Sequence, residues 1–565
     1  MLAEDARSGL VPLPPELLIM VFKLLDDKAL LNSSMTCTYF NEIIQRTPEL
    51  RYTIELALDG FHDGNPNHPT NVSERLRTLL DRRSRWRSLN WTKVATVPPV
   101  DTEVYDLSDG VLARISNGLL MDVPTRCTLT VTPLSKDSSF IDPPEGWTED
   151  LHIGAFADRV IIRHVLVRPL EDLIAFIEDF DIDILENDHV VHLHFRSLSS
   201  HARDPHPRCR QPAISFPLDI TASMAVPASV EKVSLAWNLI GAHVIDARGN
   251  GVLVWDWTTG DLLADLRPYN DFHSMDGFGF LTEDSLIVSR RSMGLDAGIF
   301  YTSFVGIDII SLDPNASGRP WRAYGEKAVL VSTLCLPQTT PRSNVQLDMA
   351  TGPFTLSPST KHDEPFVTAP DSHIYVISII SSLSDLDNEP EISMVVHRNT
   401  LLSALNRYAH SLEPVESRTI PWDEWGPANT RCFQCDNRFI YCTSHHQIYG
   451  ERWLDFLQLP DGTHWWQVLD FNTKRHQYRN SAGVTVETES NNGAADAPRL
   501  ITTPSTLDLS STFVSPVVGS LPYYVTPLSM DVKQSDILFI DDQRFIRGQM
   551  GSRWGELGEA DVFVL

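Results

Sequence analysis

The sequence predicts an α+β multidomain protein, with a small helical region at its start and a large all-β domain after it. Three observations carry this. Helix-period apolar spacing is concentrated in residues 10–91. From residue 92 onward the pattern changes to runs of roughly 4–8 apolar and β-branched residues separated by Gly, Pro, Asn and Asp. One of these runs passes through a glycine turn into a second apolar run, the form of a strand pair.

In residues 10–50, Leu17, Val21, Leu24 and Leu25 fall at i, i+4, i+7 and i+8, one face of a helix. Pro14 and Pro15 stand at its start, where a missing amide proton costs little. Asp26 and Asp27 break the pattern. Two short helices are predicted next, around 28–33 and 38–46, the second closing before Pro48. Residues 51–91 are read as a loop and a linker helix. The loop, 59–70, holds Gly60, Gly64, Pro66 and Pro69. The helix, 71–91, is capped by Asn71 or Ser73, and Leu76, Leu79, Leu80, Arg83, Trp86 and Leu89 share one face. Arg75, Arg77, Arg82, Arg83, Arg85 and Arg87 make it locally basic, read as a solvated face or else a contact for an acidic partner.

Within 92–565, strands are predicted at 160–167, 190–195, 252–257, 285–288, 305–310, 374–380, 392–396, 439–442, 465–471 and 537–540. Residues 170–180 read equally as helix or as a strand pair. Leu253-Val254-Trp255-Asp256-Trp257-Thr258-Thr259-Gly260-Asp261-Leu262-Leu263 resembles the end of a WD-type propeller blade. Residues 252–254 are all apolar, which predicts burial on both faces, as in an inner propeller strand. Residues 466–474 echo the stretch weakly. The domain is therefore read as a six- or seven-bladed β-propeller with long insertions at 199–228, 337–371 and 487–511, taken as surface loops. Closure is expected through residues 562–565 paired in the last blade, beside a strand near 92–97.

Leu13-Pro14-Pro15-Glu16-Leu17-Leu18-Ile19-Met20-Val21-Phe22-Lys23-Leu24-Leu25 resembles the start of an F-box, whose pattern runs Leu-Pro-x-Glu-Leu, then an apolar helix, then Leu before an Asp-rich break. Asp26–Leu31 and Met35–Ile44 resemble its second and third helices. Phe40 stands where family members often carry Trp, and Met35 where they carry Val; both keep bulk and apolarity. An F-box at 10–50, a helix ending near Trp91 and a degenerate propeller resemble the layout of F-box families expanded in mushroom-forming fungi. The resemblance implies a non-catalytic adaptor. It would bind a Skp-type adaptor, and through it a cullin–RING scaffold, and present a protein target for ubiquitin transfer. By resemblance, Leu13, Pro14, Leu17, Leu18, Phe22, Leu25, Leu30, Leu31, Cys37 and Phe40 are the candidate adaptor-binding residues. Physical logic is compatible with this: about 40 residues cannot bury so many apolar side chains alone, so some must pack on a partner or, if the region is a helical cap, on the rest of the chain.

Charge constrains the target. The chain carries 46 basic and 74 acidic side chains, a net charge of -28, whereas nucleic-acid binding needs a basic stripe. Residues 171–188 form an acidic run, and Glu178, Asp179, Asp181 and Asp183 are read as a candidate patch for a basic protein target. The run lacks the glycine and final glutamate of a calcium loop. No run approaches the roughly 20 apolar residues that span a bilayer, so no membrane role is expected. Seven cysteines suggest reduced thiols in the cytosol or nucleus. Cys432, Cys435 and Cys442, with His445 and His446, offer zinc-like residue types. Cys432 and Cys435, three apart on a strand, would point to opposite faces, so reduced core cysteines are the preferred reading and no cofactor is expected. No nucleotide-binding or nucleophile-elbow motif occurs. The alternatives to an adaptor are a propeller scaffold outside ubiquitination and a propeller-fold hydrolase whose residues come from separate blades.

Overall fold

The computed structural model describes residues 13–564 except 66, 90, 101, 103, 121–122, 135–145, 152–159, 181–188, 220–227, 269–272, 297–298, 314–318, 321–327, 342, 355–364, 382–390, 410, 412–417, 436–444, 459–463, 482–497, 529, 531, 534–535 and 552–556. The chain forms two compact units. The first comprises Met1–Arg87, Ser357–Ala369 and Asn472–Gly493, and the second Ser88–Leu356, Pro370–Phe471 and Ala494–Leu565.

Among the described residues the first unit is built on six helices: α1 (Pro15–Phe22), α2 (Asp27–Thr36), α3 (Thr38–Arg46), α4 (Pro48–Asp59), α5 (Val72–Ser88) and, from far along the chain, the helix Lys474–Ser481. Asp26 caps α2, its carboxylate accepting from the Ala29 amide at 2.7 Å. Pro48 stops α3 and also starts α4, because proline suits the first helical turn. The sequence reading recognised the stop and missed the start, leaving α4 in the linker. Yet Leu50, Ile54 and Leu58 of α4 close one core with Leu18, Phe22, Leu30, Ile43 and Ile44. Asn71 and Glu74 cap α5 reciprocally, the Glu74 amide donating to Asn71 at 3.0 Å and the Asn71 amide to Glu74 at 3.3 Å.

Two excursions from the β-domain complete this unit. Phe366–Thr368 pairs antiparallel with Phe61–Asp63, a short strand inside the segment read as a loop. Arg82 lies over the Phe61 ring at 4.4 Å and the Phe366 ring at 5.6 Å. Arg75 meets Asp63 at 2.8 Å. Arg83 and Arg475 share two carboxylates: Arg83 lies 2.8 Å from Glu55 and 2.7 Å from Asp59, Arg475 2.7 Å and 3.1 Å from the same pair. Half of the arginines read as a solvated face are thus internal ties, because burial here comes with a carboxylate or an aromatic ring.

Replacing both Arg83 and Arg475 by Met is expected to destabilise this unit by about 3–5 kcal/mol, since two buried carboxylates lose their counter-charges. Hydrogen exchange in α4 reads the loss. The wild type should also be acid-sensitive here. Burial alone would raise the Glu55 pKa, but Arg475 and Arg83 outweigh it and hold the carboxyl below its ordinary value. A lowered carboxylate contributes stability above its unfolded pKa of about 4.3, and that stability is lost as pH falls through the lower folded value. Protection of α4 should therefore fall below about pH 4 in the wild type, and fall less steeply in the double variant.

The second unit is an arrangement of seven sheets, each with four or more strands among the described residues, antiparallel except where Thr419–Ile420 joins Val329–Cys335 in parallel. Their first strands are Val104–Ser108, Val160–Arg168, Ser229–Ala236, His273–Thr282, Val345–Thr351, Ile448–Tyr449 and Ile537–Ile540, numbered here as blades 1 to 7. It is a seven-bladed propeller. Blade 7 takes its outer strand, Thr92–Val97, from the start of the domain, and that strand pairs with Leu557–Val564 as expected. Adjacent blades share apolar faces, as in the cluster of Val252, Val254, Phe278, Phe280, Tyr375 and Ile377.

The WD-like stretch falls in blade 3. Gly249–Asp256 pairs with Leu262–Asp265 across a turn in which Gly260 has φ +83°. Asp256 accepts from the Thr258 amide and hydroxyl at 2.8 and 2.6 Å. Val252–Val254 are buried as predicted, but this strand is third in its blade, not innermost; packing between neighbouring blades covers both of its faces.

Other expectations are corrected. Of the two readings left open at 170–180 the strand holds over 173–180, as one strand preceded by a 3-10 turn at Pro169–Glu171 rather than a pair. The β-region also holds helices Arg398–Tyr408 and Trp422–Asn429, where no helix was expected. The segments read as loops contain blade strands: Ala213–Leu218 ends blade 2 and Val345–Thr351 begins blade 5. The expected strand 439–442 lies outside the described residues.

Candidate functional site

On the N-terminal unit, α1 is apolar on two sides. Leu18 and Phe22 face the core, with Phe22 edge-on to Phe40 at 5.2 Å. The stripe picked out by helical period is a different one. Leu17, Val21 and Leu24 are 47%, 50% and 86% exposed, and Met20 beside them is 65% exposed. Leu13, Met35 and Tyr39 are exposed too. The Tyr39 hydroxyl donates to the Leu13 carbonyl at 3.4 Å, which brings the start of α3 to the start of α1. Of the ten exposed large apolar side chains among the described residues, these seven lie within residues 13–39. Such concentration marks a docking surface, since soluble monomers rarely expose large contiguous apolar area.

The sequence-predicted adaptor residues divide accordingly. Leu13, Pro14, Leu17 and Cys37 are exposed. Leu25, Leu31 and Phe40 are partly buried against the helical core. Leu18, Phe22 and Leu30, at 7%, 4% and 1% exposure, are covered by their own unit and form part of its interior. Met20, Val21, Leu24, Met35 and Tyr39 are exposed as well and were not among the sequence-predicted residues, although Val21 and Leu24 stood on the stripe that the period revealed.

The family model described as F-box-like matches residues 11–56, from before α1 into α4. Residues 11–56 form an F-box-like region. The apolar surface just described lies on it, and α4 belongs to the matched span. A search of curated proteins finds no match to the chain. Among solved structures, the N-terminal domain of Nup159 covers 84% of this chain and 95% of its own at 9% identity, with a TM-score of 0.27. The polysaccharide lyase Uly1 covers 82% and 90% at 8% identity, TM-score 0.38. Hsv2 of Kluyvelomyces marxianus covers 66% and 93% at 10% identity, TM-score 0.23. The seven-bladed arrangement rests on this chain's own strand pairing.

The acidic candidate patch is not a surface patch where it is described. Glu178 is 1% exposed and lies 2.5 Å from His194 Nε2 inside blade 2. Residues 173–178 are all buried, so both faces of this strand are covered, and His194 on the neighbouring strand meets Glu178. Asp179 occupies that same strand, while Asp181 and Asp183 lie outside the described residues.

A second site lies on the propeller axis. First-strand residues Asp106, Leu166, Arg168, Lys232, Phe278, Met349 and Ile540, with His445 and His446, line a cavity of about 40 Å³. Asp106, in the first strand of blade 1, is 2% exposed. The Val167 amide donates to its Oδ2 at 2.7 Å. Its Oδ1 lies 3.4 Å from His445 Nε2 and 3.7 Å from His446 Nδ1. Both histidines sit in a 3-10 turn leading into blade 6. Burial, followed by His445, pushes His446 down to about 3. Burial opposes ionisation of Asp106, but the His445 hydrogen bond and the charges of His446, His445 and Arg168 hold it below the usual carboxylate range.

The sequence had placed these histidines near Cys432, Cys435 and Cys442. The structure brings them to Asp106 instead. Cys432 is buried on strand Thr430–Cys435, where burial pushes its thiol up to about 12, and Cys442 lies outside the described residues.

Proposed function

We propose that this chain is a substrate-recognition adaptor of a ubiquitin ligase of the Skp–cullin–F-box type. Its F-box-like region docks a Skp-type adaptor through Leu17, Met20, Val21 and Leu24, and that adaptor links it to a cullin–RING scaffold. The propeller offers the surface for a protein target, and the chain itself does no chemistry. The observation that carries the reading is the apolar face of α1, left exposed on the region that the F-box-like model matches. An apolar stripe that its own fold leaves uncovered calls for an apolar partner.

The net charge of -28 favours a basic target over nucleic acid, now without Glu178 as a contact. Cys37, Cys127, Cys209, Cys335 and Cys432 are free thiols, which suits the cytosol or nucleus. Co-expression of the full chain with a Skp-type adaptor tests the reading. A stable one-to-one complex on size exclusion is the expected result; two separately eluting proteins would overturn it.

A further inference from the structure

We propose that Asp106, His445 and His446 form a binding site for a zinc-class divalent cation on the propeller axis. The three offer Oδ1, Nε2 and Nδ1, and these atoms all lie within 4.8 Å of one another. The separations from Asp106 Oδ1, 3.4 and 3.7 Å, approach what tetrahedral zinc requires: bonds of about 2.0–2.1 Å put neighbouring ligand atoms about 3.3 Å apart. Two imidazoles and one carboxylate are a donor set that suits zinc, with a remaining position for water or a small anion.

The surroundings supply the supports that metal ligands use. The second oxygen of Asp106 is fixed by the Val167 amide, which leaves Oδ1 aimed at the histidines. A backbone hydrogen bond at Tyr105 engages the ring of His446. That ring also packs against Tyr105 at 5.6 Å and edge-on to Phe539 of blade 7 at 5.3 Å, so its orientation is set by blades 1 and 7 together. His445 stays partly exposed to the cavity, which gives an ion a way in.

Two cations line the same cavity and oppose a dication. Arg168 is turned to other acceptors: the Leu235 carbonyl at 2.6 Å, the Val167 carbonyl at 3.2 Å and Ser108 Oγ at 3.3 Å. Lys232 is paired with Asp348 at 3.3 Å. They weaken affinity, and they also offer positive charge to an anion held in the remaining position. A bound ion would pin blade 1 to the turn before blade 6, across blade 7.

The test uses the full chain, stripped with chelator and titrated with zinc. The chain has 19 histidines, so the readout is the difference between wild type and His445→Ala. His445 is partly exposed, and its loss leaves the core intact. The wild type is expected to bind one more equivalent than the variant and to melt at a higher temperature with zinc, a shift absent in His445→Ala. Cobalt substituted for zinc should give the intense visible absorption of a tetrahedral site in the wild type alone. Equal stoichiometry and equal melting shifts in the two proteins would overturn the proposal and leave a hydrogen-bonded His–Asp pair. Asp106→Asn, where it folds, should match His445→Ala; zinc binding unchanged in it would also count against the site.

Discussion

Deleting residues 561–565 is expected to leave an insoluble chain. The deletion removes the end of the strand at which the domain's first and last segments meet. Val562, Phe563 and Val564 are 1%, 8% and 7% exposed. They pair on one side with Arg544, Phe545 and Ile546, and on the other with Thr92, Lys93 and Ala95. At about 1.5–3 kcal/mol for each buried side chain, the three contribute about 4.5–9 kcal/mol. A folded domain has a net stability of about 5–15 kcal/mol, so the loss takes most or all of it. Asp561 adds to the effect. It lies 2.5 Å from Lys93 and 2.7 Å from Arg547, and Thr96 donates to it at 3.0 Å. Without the strand end, residues 544–546 and 92–95, both in blade 7, lose their partner and expose unpaired edges, which invites aggregation. Soluble yield and the melting curve check this. A milder variant, Phe563→Ala, should remain soluble and lose about 3–5 kcal/mol. A truncated chain that melts like the wild type would show that the seam does not hold the ring.

This seam was legible in the sequence because it lies in one unbroken apolar run, Val562-Phe563-Val564-Leu565, and such a run has few places to go in a β-domain. The WD-like turn was legible for a similar reason: Asp256, Thr258 and Gly260 determine it locally. Elements whose identity depends on distant partners were not. Val345–Thr351 alternates buried and exposed residues as a strand should, but the Pro- and Ser-rich residues around it hid the start of a blade. Glu178 read as one acid among many, because only the fold supplies His194. The axial cluster is the extreme case, since Asp106 and His445 are 339 residues apart and no spacing rule joins them. On α1, periodicity found an apolar stripe but could not say which side it faced. With Leu18 and Phe22 inside and Leu17, Met20 and Val21 outside, the helix is apolar nearly all round, and burial alone separates core from surface.

That separation decides which substitutions isolate docking. Leu17→Asp combined with Leu24→Asp is expected to abolish co-purification with a Skp-type adaptor while the melting temperature stays within about a degree of wild type. The two positions are 47% and 86% exposed, so a carboxylate at either stays hydrated in the free protein and costs little. In the complex the same carboxylates would be desolvated against an apolar partner, without a counter-charge. Covering the exposed parts of Leu17, Met20, Val21 and Leu24 contributes about 4–7 kcal/mol, the range for fully buried side chains scaled by the part of each that is exposed. Losing the share of two of them, and burying two unpaired charges in their place, costs several kcal/mol more. Binding should fall by more than a hundredfold, which calorimetric titration of the adaptor reads directly. Phe22→Asp also removes binding but by another route: Phe22 is 4% exposed and packed on Phe40, so the helical unit itself unfolds. Hydrogen exchange distinguishes the two, with α2 to α4 still protected in the Leu17/Leu24 variant and unprotected in Phe22→Asp. Undiminished adaptor binding by the surface variant would remove α1 as the docking face, and with it the main support for the adaptor function.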